Sequence, residues 1–156
     1  MATPARPAGI VDGVEVEERI SNSVRDTEAI AAHLARSLAG GECLALYGDL
    51  GAGKTQFTRG LAIGLGADPH LVSSPTFVLL NIYAGERLKL YHLDAYRVAG
   101  ADDFDAIGFD ELLEDPAGVV VVEWPTRVEA MLPPKRRINI HLTALSAHNR
   151  RIRIER

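Results

Sequence analysis

The chain has 156 residues, of which 47% are hydrophobic and 24% are charged, so its length fits one domain and its composition fits an ordinary globular protein. Its 17 basic and 21 acidic side chains give a net charge of −4, which argues against a dedicated nucleic-acid-binding surface, because tight contact with phosphate backbones needs a basic excess. No stretch approaches transmembrane length, and residues 1–9 lack the apolar core of a signal peptide. We therefore expect a cytoplasmic protein with no membrane partner.

The start of the chain predicts a tail followed by a strand and a helix. Residues 1–13 are rich in Ala, Pro and Gly, which favours a disordered tail and leaves residues 14–156 for the folded domain. Apolar and acidic residues alternate from Val14 to Ile20, the period of a half-buried strand, which we place at a sheet edge. Ser23 is typical of a helix start, and Gly40-Gly41 predicts the end of that helix.

Residues 48–55 have the sequence Gly-Asp-Leu-Gly-Ala-Gly-Lys-Thr, which matches the G-x-x-x-x-G-K-T phosphate-binding loop. An apolar run at 43–47 predicts a strand before it, and residues 54–65 predict a helix after it. The glycines let backbone N–H groups point inward at the positive end of that helix. Lys54 can then reach the outer phosphates, and the Thr55 hydroxyl can bind Mg²⁺. The predicted nucleotide-binding residues of the loop are Asp49, Leu50, Gly51, Ala52, Gly53, Lys54, Thr55 and Gln56.

A cluster of Ser, Pro and Thr follows at residues 73–77. Alone, such a cluster indicates only a loop that enters a strand. Phosphate-loop proteins, however, use a Ser or Thr hydroxyl in a mobile loop to sense the terminal phosphate. Thr76 is our candidate for that role.

Two strand-like runs at 78–83 and 88–94 predict a β-hairpin. His92 and Asp94 lie on one face of the second strand, because side chains alternate with a period of two. We interpret His92 as a hydrogen-bonded structural histidine. Asp94 stands at the carboxyl end of its strand, where ligands bind in open α/β sheets. It could hold Mg²⁺ through water or orient an attacking water.

Residues 101–115 combine seven acidic side chains with regularly spaced apolar ones. This pattern predicts one or two short amphipathic helices. Their acidic face is either simply solvated or a docking surface for a basic partner.

Four consecutive valines at 119–122 predict a central strand covered on both faces, and Glu123 ends it. A carboxylate at this place, downstream of a phosphate loop, matches the second magnesium-binding element of such proteins. We therefore expect Glu123 to bind Mg²⁺ through water, and either Glu123 or Asp94 could act on the attacking water. Alternating apolar residues at 138–142 and 152–154 predict two antiparallel strands at the end of the chain.

The class of nucleotide protein follows from what the sequence lacks and how long it is. The guanine-reading tetrapeptide N-K-x-D does not occur in the sequence, which favours ATP over GTP. A small-molecule kinase would need an acceptor-binding domain, and few residues remain for one once the core sheet is assigned. That class stays open as an alternative, as does a nucleotide-gated interaction module that does not hydrolyse significantly.

Four motifs in this order resemble the TsaE family, the bacterial ATPases of tRNA threonylcarbamoyladenosine biosynthesis. They lie at residues 48–55, 74–77, 92–97 and 123–125, and the resemblance extends from about Asp26 to the end of the chain. It implies one α/β phosphate-loop domain whose mixed central sheet is flanked by helices and carries antiparallel hairpins. It also implies ATP and Mg²⁺ as the cofactors.

The same resemblance implies partners and roles. The partners would be a TsaD-like threonylcarbamoyl transferase and a TsaB-like companion, with tRNA contacted only through that complex. Thr55 and Glu123 would be Mg²⁺ ligands, and Arg150 would lie near the base. Gln56 stands where the family commonly has a second Thr, so its contact with the α-phosphate is altered. The implied catalytic residues are Lys54, Thr76, Asp94 and Glu123.

Overall fold

A computed structural model describes residues 9–75 and 79–156. The strands are β1 (Gly9–Val11), β2 (Val14–Ser21), β3 (Cys43–Tyr47), β4 (Leu80–Tyr83), β5 (Lys89–Asp94), β6 (Gly118–Glu123), β7 (Arg137–Ala144) and β8 (Arg150–Glu155). The helices are α1 (Val24–Arg36), α2 (Lys54–Leu65), α3 (Ala101–Ala106) and α4 (Phe109–Glu114), with 3₁₀ segments at Pro69–Leu71 and Pro125–Met131. In these described ranges, no helix is long and apolar enough to cross a membrane.

The described strands form one mixed sheet in the order β1-β2-β8-β7-β3-β6-β5-β4. The four strands β7, β3, β6 and β5 are parallel, whereas β4 and the pair β8 and β2 run antiparallel to their neighbours. The predicted mixed α/β fold is confirmed, as are both antiparallel hairpins and the fully buried central strand β6. Because β3, β6 and β5 are parallel neighbours, their carboxyl ends meet at one edge of the sheet.

Two apolar layers cover the sheet. Helices α1 and α2 pack on one face, and α3, α4 and the segment Pro125–Met131 pack on the other. The contact between α1 and α2 is very close, because a Cβ atom at Gly64 would lie 2.5 Å from the carbonyl oxygen of Ala32. The first layer therefore holds α2, and with it the phosphate loop, firmly against the sheet.

The structure corrects three predictions about the start of the chain. Residues 9–13 belong to a β-hairpin instead of a disordered tail, because β1 pairs with β2 around the turn Asp12-Gly13, whose φ angles are 51° and 81°. Strand β2 consequently pairs on both sides and is not the sheet edge. Helix α1 ends at Arg36, before the two glycines predicted to end it.

Candidate functional site

The loop between β3 and α2 has the strand, loop and helix context that the sequence predicts. Gly51 and Gly53 have φ angles of 78° and 103°, a region that only glycine adopts easily. The N–H of Ala52 donates to the carbonyl oxygen of Asp49 at 3.0 Å and closes a tight turn. Because the first N–H groups of a helix have no acceptor within it, this end of α2 suits an anion such as phosphate.

Lys54 places a buried ammonium group at the centre of the site. The residue is 7% exposed, and its Nζ donates to the carbonyl oxygen of Gly48 at 2.6 Å. Nζ also lies 3.6 Å from the centre of the Trp124 ring. Burial lowers the pKa of Lys54, while the negative charges of Glu123 and Asp94 oppose that shift. The ammonium therefore faces both the loop and the two predicted catalytic carboxylates.

Asp94 and Glu123 end two adjacent parallel strands, β5 and β6, and are paired in register. They are 5% and 3% exposed. One carboxylate oxygen of Asp94 accepts the N–H of Tyr96 at 2.8 Å, and the other accepts the Ser74 hydroxyl at 3.2 Å. The two carboxylates share a cavity of about 400 Å³ whose other lining residues include Lys54, Thr55, Gln56 and Ser74.

Glu123 is held by His92, a contact that the sequence did not indicate. Nε2 of the fully buried His92 lies 2.7 Å from Oε2 of Glu123, and its Nδ1 lies 3.2 Å from the Tyr83 hydroxyl. The interpretation of His92 as a hydrogen-bonded histidine is confirmed, but its partner is a site carboxylate. The available signal was the position of His92, which shares a strand face with Asp94.

Trp124 forms the wall between the loop and the end of β6. Its φ angle of 55° turns the chain sharply after the strand, and Pro125 follows. The ring packs between the Lys54 ammonium and the Tyr96 ring, whose centre lies 5.0 Å away. Trp124 therefore contacts the Lys54 ammonium directly, through the face of its ring.

Arg150 supports the outer side of the loop. Its guanidinium group donates to the carbonyl oxygens of Gly51 and Ala52, each at 3.1 Å. It also lines a cavity of about 150 Å³ together with Gln56 and Thr27, on the side of the loop away from Asp94. A contact between Arg150 and a nucleotide base stays a prediction.

The structure brings Lys54, Thr55, Asp94 and Glu123 together, whereas Thr76 lies outside the described residues. Hydroxyl and carboxylate oxygens are the ligands that Mg²⁺ prefers, so this donor set fits that ion. Within residues 9–75 and 79–156, no three His, Cys, Asp or Glu side chains converge on one point.

A glycine-rich loop between the central strand β3 and helix α2, with carboxylates at the ends of β6 and β5, defines the chain as a phosphate-loop α/β domain. A family model described as "Threonylcarbamoyl adenosine biosynthesis protein TsaE" matches residues 21–152. The chain belongs to the TsaE family.

Individual relatives agree with this assignment. The tRNA threonylcarbamoyladenosine biosynthesis protein TsaE of Treponema pallidum is 43% identical over 86% of this chain and 97% of its own length. The protein of the same name from Aquifex aeolicus is 37% identical over 90% of this chain and 97% of its own length. The crystal structure of Bacillus subtilis YdiB superposes with a TM-score of 0.71 at 33% identity, covering 91% of this chain and 86% of YdiB. The predicted family is therefore confirmed.

Proposed function

We propose that this protein is a Mg²⁺-dependent ATPase that supports threonylcarbamoylation of adenosine in tRNA. The observation that carries the proposal is the position of Asp94 and Glu123 in the same cavity as Lys54 and Thr55. Groups suited to phosphates and groups suited to a metal ion and water thus meet at one place, as nucleotide hydrolysis requires. The sequence lacks the N-K-x-D tetrapeptide that reads guanine, which favours ATP.

Each residue of the cavity has a separate task in this proposal. Lys54 and the first N–H groups of α2 hold the outer phosphates. The Thr55 hydroxyl and the Glu123 carboxylate would hold Mg²⁺, which would supply positive charge opposite the negative phosphates. Asp94 is fixed by two hydrogen bonds, from Tyr96 and Ser74, and so can orient the attacking water.

We further propose that a TsaD-like transferase and a TsaB-like companion complete this activity in the cytoplasm. The family and the relatives are named for tRNA threonylcarbamoyladenosine biosynthesis, the process in which these partners would act. Leu50 is 78% and Tyr96 40% exposed, and both line the cavity, so they are accessible to a partner that docks beside it. The net charge of −4 favours indirect contact with tRNA, through the partners.

A small-molecule kinase is the second candidate, because a further cavity lies beside the loop. It has a volume of about 440 Å³, within the range of small-ligand sites, and includes Tyr47, Asp49, Trp124 and His141 in its lining. An acceptor in this cavity would be next to the phosphate loop.

The test is ATP hydrolysis with and without Mg²⁺, by the purified chain alone and with the TsaB-like and TsaD-like proteins of the same organism. Glu123→Ala is expected to bind ATP but hydrolyse little of it, because the carboxylate for the metal and water is gone. Glu86→Ala is the control, since Glu86 is exposed in the β4 to β5 turn at the opposite end of β5. Mg²⁺-dependent hydrolysis that rises with the partners and disappears only in Glu123→Ala supports the proposal.

Two results would contradict it. Hydrolysis that stays at the Glu123→Ala level with both partners, while phosphate passes to an added small molecule, would favour the kinase. ATP binding with no hydrolysis under any condition would indicate that the protein is a nucleotide-gated interaction module.

A further inference from the structure

A chain of hydrogen bonds, buried from Glu123 to Tyr83, leads to the loop before β4. His92 connects Oε2 of Glu123, at 2.7 Å, with the hydroxyl of Tyr83, at 3.2 Å. The Tyr83 hydroxyl in turn lies 3.1 Å from the carbonyl oxygen of Ser73 and accepts the Ser73 N–H at 3.3 Å. His92 is fully buried and Tyr83 is 4% exposed, so water does not compete for the bonds that join Glu123, His92 and Tyr83, whereas Ser73 is exposed.

The donors and acceptors of this chain can all be satisfied at once. A carboxylate only accepts, so His92 donates from Nε2 to Glu123. When the ring is neutral, Nδ1 is an acceptor, and the Tyr83 hydroxyl donates to it. The side-chain amide of Asn81 then donates to the carbonyl oxygen of Ser73, from which it lies 3.3 Å away. With a protonated His92, Nδ1 instead donates to the Tyr83 hydroxyl, which then donates to the carbonyl oxygen of Ser73. In both arrangements Nε2 of His92 donates to Glu123.

Ser74, the next residue of the loop, contacts the second carboxylate of the site, Asp94. The hydroxyl of Ser74 donates to Asp94 at 3.2 Å. Ser73 and Ser74 are thus linked to Glu123 and Asp94, respectively, the first through two side chains and the second directly. Two consecutive residues therefore have hydrogen-bonded connections to the two carboxylates.

The bond from His92 restricts the orientation of the Glu123 carboxylate. A glutamate carboxylate can rotate about several single bonds, and a buried charge without a hydrogen bond is costly. His92 removes that freedom because its own ring is held at both nitrogens. Hydrogen bonds of this kind typically change metal affinity or activity 10- to 100-fold.

We propose that His92 and Tyr83 are positioning residues that orient the Glu123 carboxylate for Mg²⁺ and connect it to Ser73. The inference rests on the proposed function, because it assumes that Glu123 acts at a nucleotide-bound metal ion. It extends that function by giving a role to two buried residues that do not line the cavity.

Two substitutions of His92 separate positioning from simple packing. In His92→Gln the amide nitrogen can reach the place of Nε2, so the bond to Glu123 is kept and the link to Tyr83 is lost. In His92→Asn the amide reaches only the place of Nδ1, so the link to Tyr83 is kept and the bond to Glu123 is lost. Both variants put a similar polar group in the same buried space, and their melting temperatures serve as the control for folding.

The readout is the Mg²⁺ concentration that half-saturates Mg²⁺-dependent ADP binding, measured by calorimetry, so it does not depend on turnover. We expect this concentration to rise about tenfold or more in His92→Asn and about threefold or less in His92→Gln. ADP affinity without Mg²⁺ should be the same in both variants. Equal Mg²⁺ dependence in the two variants would overturn the positioning role of His92.

Tyr83→Phe tests the other end of the chain with a change too small to prevent folding. Its control is Tyr91→Phe, which removes a hydroxyl from an equally buried tyrosine that bonds Asp115 instead. We expect the half-saturating Mg²⁺ concentration to rise about threefold in Tyr83→Phe. This is less than the effect expected when the bond to Glu123 itself is lost, because Tyr83 acts only through His92. In Tyr91→Phe the concentration should stay unchanged. Identical values for the two variants would show that Tyr83 does not position His92.

Failure of this inference can be told from failure of the proposed function. If the wild-type chain binds no Mg²⁺ and ADP, the function is wrong and the inference falls with it. If the wild type binds them and Glu123→Ala loses the Mg²⁺ dependence, the function holds. The two His92 variants then decide the role of His92, and the two tyrosine variants decide the role of Tyr83.

Discussion

The ammonium of Lys54 lies 3.6 Å from the centre of the Trp124 ring, so the first residue of α2 touches the first residue after β6. The phosphate loop and the strand that carries Glu123 therefore share a side-chain contact. Tyr96, two residues after Asp94, packs on the same ring. Movement of the loop or of either strand end would therefore change the surroundings of the Trp124 ring.

This contact makes Trp124, the single tryptophan of the chain, a reporter of phosphate binding. Phosphates that draw the Lys54 ammonium towards them would move it from the ring, so we expect ADP to change the emission of Trp124. The change should be absent in Lys54→Met, which has lost its charge-assisted contact. The control is Lys89→Met, because Lys89 also lies near an aromatic ring, that of Tyr91 at 5.7 Å. A full ADP response in Lys54→Met would contradict the assignment of the loop.

The stability of Lys54→Met is a second prediction, and it follows from the lowered pKa of Lys54. Burial disfavours the charged form, so below the lowered pKa the folded chain carries an unfavourable charge that the unfolded chain does not feel. As the pH rises through the folded-state pKa towards 10.5, that cost disappears. We therefore expect Lys54→Met to melt no lower than wild type at pH 7. The advantage of the variant should shrink as the pH approaches 10, and a melting temperature that is lower at pH 7 would contradict this reasoning.

Asp115 predicts how the fold responds to acid. Its carboxylate accepts the Tyr91 hydroxyl at 2.5 Å and the Ala117 N–H at 2.8 Å, and these bonds, with Lys89, lower its pKa from 3.8 to about 2. A carboxylate whose pKa is lowered by folding stabilises the fold at any pH above its pKa in the unfolded chain. This contribution is lost as the pH falls towards 2. We expect urea denaturation between pH 4 and pH 2 to show a weaker pH dependence in Asp115→Asn than in wild type. Asp110→Asn, at an exposed position of α4, is the control, and equal slopes in all three proteins would contradict the prediction.

Patterns between residues close in sequence predicted most of the elements. The glycine-rich loop, the β4 to β5 hairpin and the valine-rich β6 each depend on a few consecutive residues, and all three formed as expected. The hairpin at the start was missed although Asp12-Gly13 is a typical hairpin turn. The Ala, Pro and Gly content of the surrounding residues outweighed that signal.

Contacts between residues far apart in sequence could not be predicted in the same way. His92 meets Glu123 only because β5 lies beside β6 in parallel register, and periodicity does not determine strand order. Arg150 reaches the phosphate loop only because β8 returns beside β7. The sequence therefore identified the candidate carboxylates but not the side chains that hold them.

The close contact between α1 and α2 gives a last prediction, for Gly64→Ala. Replacing glycine by alanine inside a helix normally stabilises by about 1 kcal/mol. Here the new Cβ would lie 2.5 Å from the carbonyl oxygen of Ala32 and 2.6 Å from Cβ of Ala35, and such overpacking costs about 1–3 kcal/mol. The obstacle includes backbone, which cannot rotate away as a flexible side chain can, so the helices must separate. We expect a net loss of about 1 kcal/mol in the free energy of unfolding, measured in urea.

The matched control is Gly100→Ala, because nothing lies within 4 Å of a Cβ at that position and its φ of 177° suits any residue. It should change the free energy of unfolding by less than about 0.5 kcal/mol. Since α2 begins with Lys54 and Thr55, a shift of this helix would also move the phosphate-binding groups, so ADP affinity should fall in Gly64→Ala and stay constant in Gly100→Ala. A Gly64→Ala variant as stable as wild type would mean that α2 is not held by this contact. Unchanged ADP affinity in a destabilised Gly64→Ala would mean that the loop is positioned by β3 and Arg150 instead.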